Sequence, residues 1–271
     1  MRRLVFTAIV ALAASSVTAF AQPGSPVPRG ADGKPDLTGV WQGGSTFRGN
    51  WDDANAGLGV GGSGKNPAAP AVLGSNERAA GREDAPYQDW AAKKVLEAFN
   101  RRGIDDPTAR CLPAGVPRSV MLGLYPQKIV QTPKEIVILY EYMNAFRVIA
   151  LNGKHPDDLL PSYMGNAVGH WEGNTLVVDI IGFNDKTWLA GTGTFHSEDL
   201  HVTERYTRID RDQIDYDVTM VDPKVFTKPW TLRSTIMLRE GTRLEENICA
   251  ENNLDPGYYE KLLKDGVKIT R

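Results

Sequence analysis

From about residue 118 onward, apolar and polar residues alternate with period two in short runs divided by turn residues. Glu135–Tyr142, Phe146–Leu151, Ala167–Trp171, Leu176–Ile181, Leu200–Ile209, Ile214–Val221, Trp230–Arg239 and Leu244–Cys249 each fit a half-buried strand, because successive side chains of extended backbone point to opposite faces. Gly173-Asn174, Asn152-Gly153 and Glu240-Gly241 read as tight hairpin turns, where Gly and Asn accept the positive φ that most residues avoid. Consecutive hairpins make neighbours antiparallel, and about eight such strands can close on themselves and remove both exposed edges. The expectation is a mainly β, antiparallel up-and-down β-barrel.

The preceding region has another character. Residues 42–83 are rich in Gly, Ala, Asn and Pro with little apolar periodicity, which suggests an excursion or lid rather than core. Trp90 then leads into residues 91–101, and Trp90, Val95, Leu96 and Phe99 fall at helical spacing with Gly103 as the stop. A second helix is expected over Pro256–Lys264, striped by Tyr258, Tyr259, Leu262 and Leu263.

The first 21 residues form a secretory signal: Arg2 and Arg3, an apolar run from Leu4 to Ala14, and small residues at Ala19 and Ala21. That run is too short to anchor a chain in a membrane, and no later stretch reaches the roughly 18 apolar residues a spanning helix needs. A periplasmic or secreted location follows. The chain then divides into the signal, an extension over 22–35, and one domain over 36–271 with an insertion at 42–103. Without Arg2 and Arg3 the 31 basic residues fall to 29 against 33 acidic, and this dispersed, slightly negative charge argues against nucleic acid as a partner. In an oxidising compartment the only two cysteines, Cys111 and Cys249, are most simply a disulfide.

Asp36-Leu37-Thr38-Gly39-Val40-Trp41 resembles the Gly-x-Trp opening strand of lipocalin-like (calycin) barrels, which implies that Trp41 plugs the closed end. Residues 36–252 are more broadly similar to a large family of secreted bacterial proteins of uncharacterised activity. That likeness is carried by Cys111-Leu112-Pro113, Gly169 through Asp179, Gly182-Phe183-Asn184-Asp185-Lys186-Thr187-Trp188 and His196-Ser197-Glu198-Asp199-Leu200-His201.

Strand alternation sends one mostly apolar set inward, and Glu204 and Glu246 stand out within it. A carboxylate among apolar neighbours must be paired, hydrogen-bonded or shifted in pKa. Tyr140, Tyr142, Tyr206 and Tyr216 add polar tips to flat apolar faces, so that with Arg147 this set outlines a lumen for a small aromatic or terpenoid-sized molecule. The alternative is that the two glutamates pair with Arg147 or Arg233 and brace the barrel.

The densest titratable cluster is His196 to His201, following a glycine-bearing loop and entering a strand at a barrel mouth. His196 and Glu198 face the same way on extended backbone and His201 faces the other, with Asp185 on the preceding loop segment. A His beside a carboxylate suits general acid or base work, since the carboxylate orients and charge-balances the imidazole. The same atoms, His196 and Glu198 with His155 or His170, are the set a divalent metal would use, but the spacing lacks the helical His-Glu-x-x-His pattern and no cofactor is otherwise called for. Neither a Gly-x-Ser-x-Gly elbow nor a phosphate-binding loop is present. Three functions remain: cofactor-independent acid/base chemistry on a small apolar molecule (a lyase, isomerase or hydratase), non-catalytic carriage of such a molecule, or an envelope-interaction role for the Gly-rich insertion.

Overall fold

A computed structural model describes residues 26–45, 85–100, 105–121, 125–189, 193–251 and 253–266. The expected signal segment and most of the Gly-rich stretch expected as an insertion lie outside the described residues. Nine strands form a closed barrel in sequence order: β1 (Gly39–Ser45), β2 (Gln127–Gln131), β3 (Glu135–Tyr140), β4 (Phe146–Leu151), β5 (Asn166–Glu172), β6 (Thr175–Ile181), β7 (His201–Arg208), β8 (Gln213–Val221) and β9 (Trp230–Leu238). Helix α1 (Asp89–Asn100), the short α2 (Arg118–Met121) and α3 (Asp255–Lys264) accompany it. The mainly β closed barrel anticipated from period-two alternation is present. Among the described residues no helix is long and apolar enough to cross a membrane.

Three features differ from the expected meander. β4 and β5 pair in parallel, through Ile149↔Ala167, Ala150↔Val168 and Leu151↔Gly169, so the barrel is mixed. Asn152 does take a positive φ of 55°, but it starts a crossover over 152–165 that brings the chain back to the same end, as parallel pairing requires. Second, β1 pairs with both β2 and β9 and completes the ring. No edge is left, so the expected strand Leu244–Cys249 runs outside the barrel without strand structure, and Glu246 is exposed rather than luminal. Third, Tyr142 lies in a 3-10 turn beyond the end of β3, half-buried, with its ring 4.8 Å from that of Tyr125.

Trp41 closes one end. It is fully buried, its indole Nε1 donates to the Leu37 carbonyl at 2.8 Å, and the Arg208 guanidinium lies 5.0 Å from its ring centre. This is the plug implied by the opening motif, and the closed barrel is consistent with a calycin or lipocalin type of fold. At the other end α1 sits across the β6–β7 and β8–β9 loops. It is held by Gln88 N to Val225 O (2.9 Å) and Thr227 N to Pro86 O (2.8 Å), and its own Ala91 and Val95 are buried. α3 forms as expected, but Tyr258 and Leu263 on its stripe are exposed.

The segment after β9 straps the barrel's outside. Glu245 N donates to Glu141 Oε2 at 2.8 Å and Asn144 Nδ2 to the Asn247 carbonyl at 2.8 Å, and a Cys111–Cys249 disulfide fastens its end. Beside the disulfide, Arg118 makes a two-pronged, buried ion pair with Asp106 at 2.7 and 2.8 Å. The disulfide joins positions 138 residues apart, and closing a loop of that order contributes about 4 to 5 kcal/mol through the unfolded chain. Paired Cys111→Ser and Cys249→Ser substitution is expected to lower the melting temperature by on the order of 10 °C. Scanning calorimetry showing no change would contradict that bracing role.

Candidate functional site

Inside the barrel the inward faces of β3, β4, β7 and β8 meet. Glu204 is fully buried and Arg147 is 3% exposed. Arg147 Nη1 donates to Glu204 Oε2 at 2.7 Å, and its Nη2 donates to Glu204 Oε1 at 3.3 Å and to the Tyr206 hydroxyl at 3.0 Å. The Tyr216 and Tyr206 hydroxyls donate to Glu204 Oε1 at 2.6 and 3.1 Å, and their rings lie 5.0 Å apart. Burial raises both phenols well above the ordinary tyrosine value, as does the neighbouring Glu204 charge. Burial opposes charge on Arg147, yet Glu204, aided by Tyr140 and Tyr206, raises its pKa well above the usual arginine value. Tyr140, also buried, has its phenol raised mainly by desolvation. Glu204 is thus paired, as the bracing alternative requires, within a buried aromatic cluster and polar network. Such an interior is consistent with binding of a small hydrophobic molecule.

The second cluster lies at the α1 end. His196, Asp185 and Glu198 line one pocket of about 360 Å³ together with Trp90 and Lys94 of α1, Trp188 and Phe195 of the β6–β7 loop, and Lys224 of the β8–β9 loop. Gly193 lets α1 approach: its φ is +83°, and a Cβ there would fall 2.4 Å from that of Ala98. Lys94 Nζ stands 4.0 Å from the centre of the Phe195 ring, and the Trp90 ring is 5.6 Å from it. Asp222, fully buried, ties the loops together, accepting from Ser197 N at 2.6 Å, Ser197 Oγ at 2.9 Å and Lys224 N at 3.1 Å.

Unlike Asp185 and Glu198, His196 is buried, with both ring nitrogens engaged. Nδ1 is 2.9 Å from the Ser197 carbonyl and Nε2 is 2.7 Å from Thr187 Oγ1. A carbonyl only accepts, so Nδ1 carries the proton in the neutral ring and Nε2 accepts from the threonine hydroxyl. Burial pushes the His196 pKa below the ordinary imidazole value against the opposing Ser197 carbonyl, Asp222 and Asp185. The ring is therefore neutral near pH 7 with its basic lone pair occupied. The groups that open onto the pocket are Glu198 and Asp185, both exposed.

His201 is elsewhere, on the outer face of β7. It bonds Asp179, which His155 also reaches at 3.0 Å while its Nδ1 lies 2.7 Å from Asn166 Oδ1. His170 bonds Glu172, itself bridged to Arg205 across the sheet. The proposed metal ligands thus lie apart, and among the described residues no group of three His, Cys, Asp or Glu is arranged to hold a metal ion. Sequence reasoning missed Thr187, Asp222, Trp90 and Lys94. Only the Asp222-Pro223 turn at the end of a strand offered a signal.

No family model matches the chain, and neither a curated protein nor a solved structure matches it. The likeness to a secreted bacterial family therefore rests on its motifs alone.

The His196 environment has a pH consequence. The unfolded chain binds a proton at this residue below about pH 6.5, whereas the folded ring, with its lowered pKa, stays neutral further down. Its contribution to stability is whole above that pH and declines as pH falls through it. In chemical denaturation between pH 8 and 5, wild type should lose more stability than His196→Asn, whose amide keeps a donor near the Ser197 carbonyl. Parallel curves would contradict the assignment.

Proposed function

We propose that the protein is an exported barrel that binds a small, largely apolar molecule of aromatic or terpenoid size at the α1 end, as a periplasmic or secreted carrier. The observation that supports this reading is the convergence of Trp90, Trp188 and Phe195 on the pocket that also holds His196, Asp185 and Glu198. Flat apolar faces supply binding energy and a few polar groups fix orientation. Lys94 sits against the Phe195 ring and offers an ammonium to any acceptor at the pocket wall. The pocket's volume falls within the range small-ligand sites occupy.

Acid/base turnover is the second reading, favoured by two exposed carboxylates on one pocket. In that reading Glu198 or Asp185 moves the proton, and His196 acts through position: it holds the loop through Ser197 and Thr187. Tyr206, Tyr216 and Glu204 are interior and bonded to one another, so their part is to keep the scaffold rigid.

Both readings are tested by titrating a panel of aromatic and terpenoid compounds with tryptophan fluorescence and analysing the mixtures over time. Trp90 is 49% exposed, so Trp90→Ala should leave melting unchanged and weaken binding by about tenfold or more, the loss expected for one stacking aromatic face. Compounds recovered unchanged support carriage. Conversion that falls by about 10² or more in Glu198→Gln with little change in binding supports catalysis. A panel with no binder, or a Trp90→Ala variant that binds like wild type, rejects the pocket as the site.

A further inference from the structure

The walls of the α1-end pocket are aromatic for a local reason. The β6–β7 loop doubles back so that Trp188 and Phe195 oppose each other in an antiparallel bridge, with the Leu189 amide donating to the Thr194 carbonyl at 2.8 Å. Directly opposed residues of such a pair present their side chains on one face. From α1, Trp90 and Lys94 stand one turn apart and reach the same place. The Trp90 ring lies 5.6 Å from that of Phe195, and the Lys94 ammonium stands 4.0 Å from the centre of the Phe195 ring. A cation over an aromatic face is held by the quadrupole of the ring. The pocket thus already carries one positive charge on an aromatic wall.

The charge around these rings is negative in sum. Asp185 and Glu198 line the pocket with exposed carboxylates, and among the described residues neither is in an ion pair. Asp199 holds Lys224 at 2.9 Å, and that bond and charge, with Asp222 and Glu198 adding to them, raise the lysine pKa above its usual value. Asp222, behind Ser197, is bonded to two backbone amides and the Ser197 hydroxyl. His196, neutral near pH 7, adds no charge. Four carboxylates therefore stand against the two ammonium groups of Lys94 and Lys224. Lys94 is exposed, and its long flexible stem lets a competing cation displace it.

We propose that the ligand of this pocket is an organic cation: a mainly apolar aromatic molecule with a methylated ammonium group, which replaces the Lys94 ammonium on the Phe195 face and lies beside Asp185 and Glu198. The inference rests on the pocket being the ligand site. A trimethylammonium has no N–H to donate, so aromatic faces and nearby negative charge recognise it without hydrogen bonds. Its arrival frees Lys94 for an acceptor elsewhere on the pocket wall.

Tryptophan fluorescence titration of the purified protein with benzyltrimethylammonium, its uncharged isostere neopentylbenzene and the anion phenylacetate tests this. The ammonium should bind about tenfold or more tightly than either of the others. Lys94→Met, at an exposed position, should melt like wild type and tighten the ammonium by about threefold, because the resident cation no longer competes. Glu198→Gln combined with Asp185→Asn should weaken the ammonium by about fivefold or more. Equal or tighter binding of neopentylbenzene or phenylacetate that Trp90→Ala removes overturns the inference and leaves the pocket standing as a ligand site. Weaker ammonium binding in Lys94→Met also overturns it, since Lys94 would then be a contact for the ligand. No measurable ammonium binding does the same, and ammonium binding that Trp90→Ala leaves at the wild-type level rejects the pocket and the inference together.

Discussion

A charged pair taken wholly out of water is the constraint around which this barrel is arranged. Arg147 on β4 and Glu204 on β7 come from strands three apart in the ring and meet across the interior at 2.7 Å. Neither ion is stable there alone, since removing one partner of a buried pair strands the other at a cost of about 3 to 5 kcal/mol. Tyr206 and Tyr216 complete the carboxylate's hydrogen bonds, so β7, β8 and β4 are held at one distance. Trp41, clamped between the Leu37 carbonyl and Arg208, closes the end of the same interior. The Glu204 carboxylate and its partners bond to each other, and the regular barrel is interrupted at the β4–β5 wall and at the α1 end, where the proposed ligand site lies.

Those interruptions follow from connectivity. The parallel β4–β5 pair needs a crossover, and that crossover leaves β4 early to follow β6, which opens a groove there. At the α1 end, two loops and a helix converge, stapled by Asp222 and spaced by Gly193. Loops on a rigid scaffold can carry recognition chemistry without loosening the core. His196 illustrates the division: buried and doubly hydrogen-bonded, it shapes the pocket, while exposed Glu198 and Asp185 face what enters it.

Much of this was legible in the sequence, for stated physical reasons. Period-two alternation found the inward face of β3, β7, β8 and β9, and picked out Glu204 with Arg147 as a candidate partner, because a carboxylate in an apolar row must be answered. The compartment and the cysteine count pointed to Cys111 and Cys249. β2 was missed because Gln127–Gln131 is five residues long, places Ile129 and Val130 side by side, and is flanked by prolines. Leu244–Cys249 carries the alternation of a strand but has no free edge to join, which only the closed ring reveals. Asn152-Gly153 has the same turn chemistry whether the chain reverses or departs on a crossover. The part α1 plays in the pocket was hidden for a similar reason: Trp90 and Lys94 stand about a hundred residues from His196, and only packing brings them together.

The central claim is that the interior pair is a brace and that recognition occurs at the α1 end. It is tested most directly by the stability and ligand affinity of Arg147→Met, Glu204→Gln and the double variant, measured together. Each single change should destabilise by about 3 to 5 kcal/mol, and the double variant should recover most of that loss, since replacing a whole buried pair is far cheaper than breaking it. The recovered double variant should bind a ligand of the Trp90 pocket as wild type does. A stable double variant that no longer binds that ligand would contradict the account and make the interior itself the site.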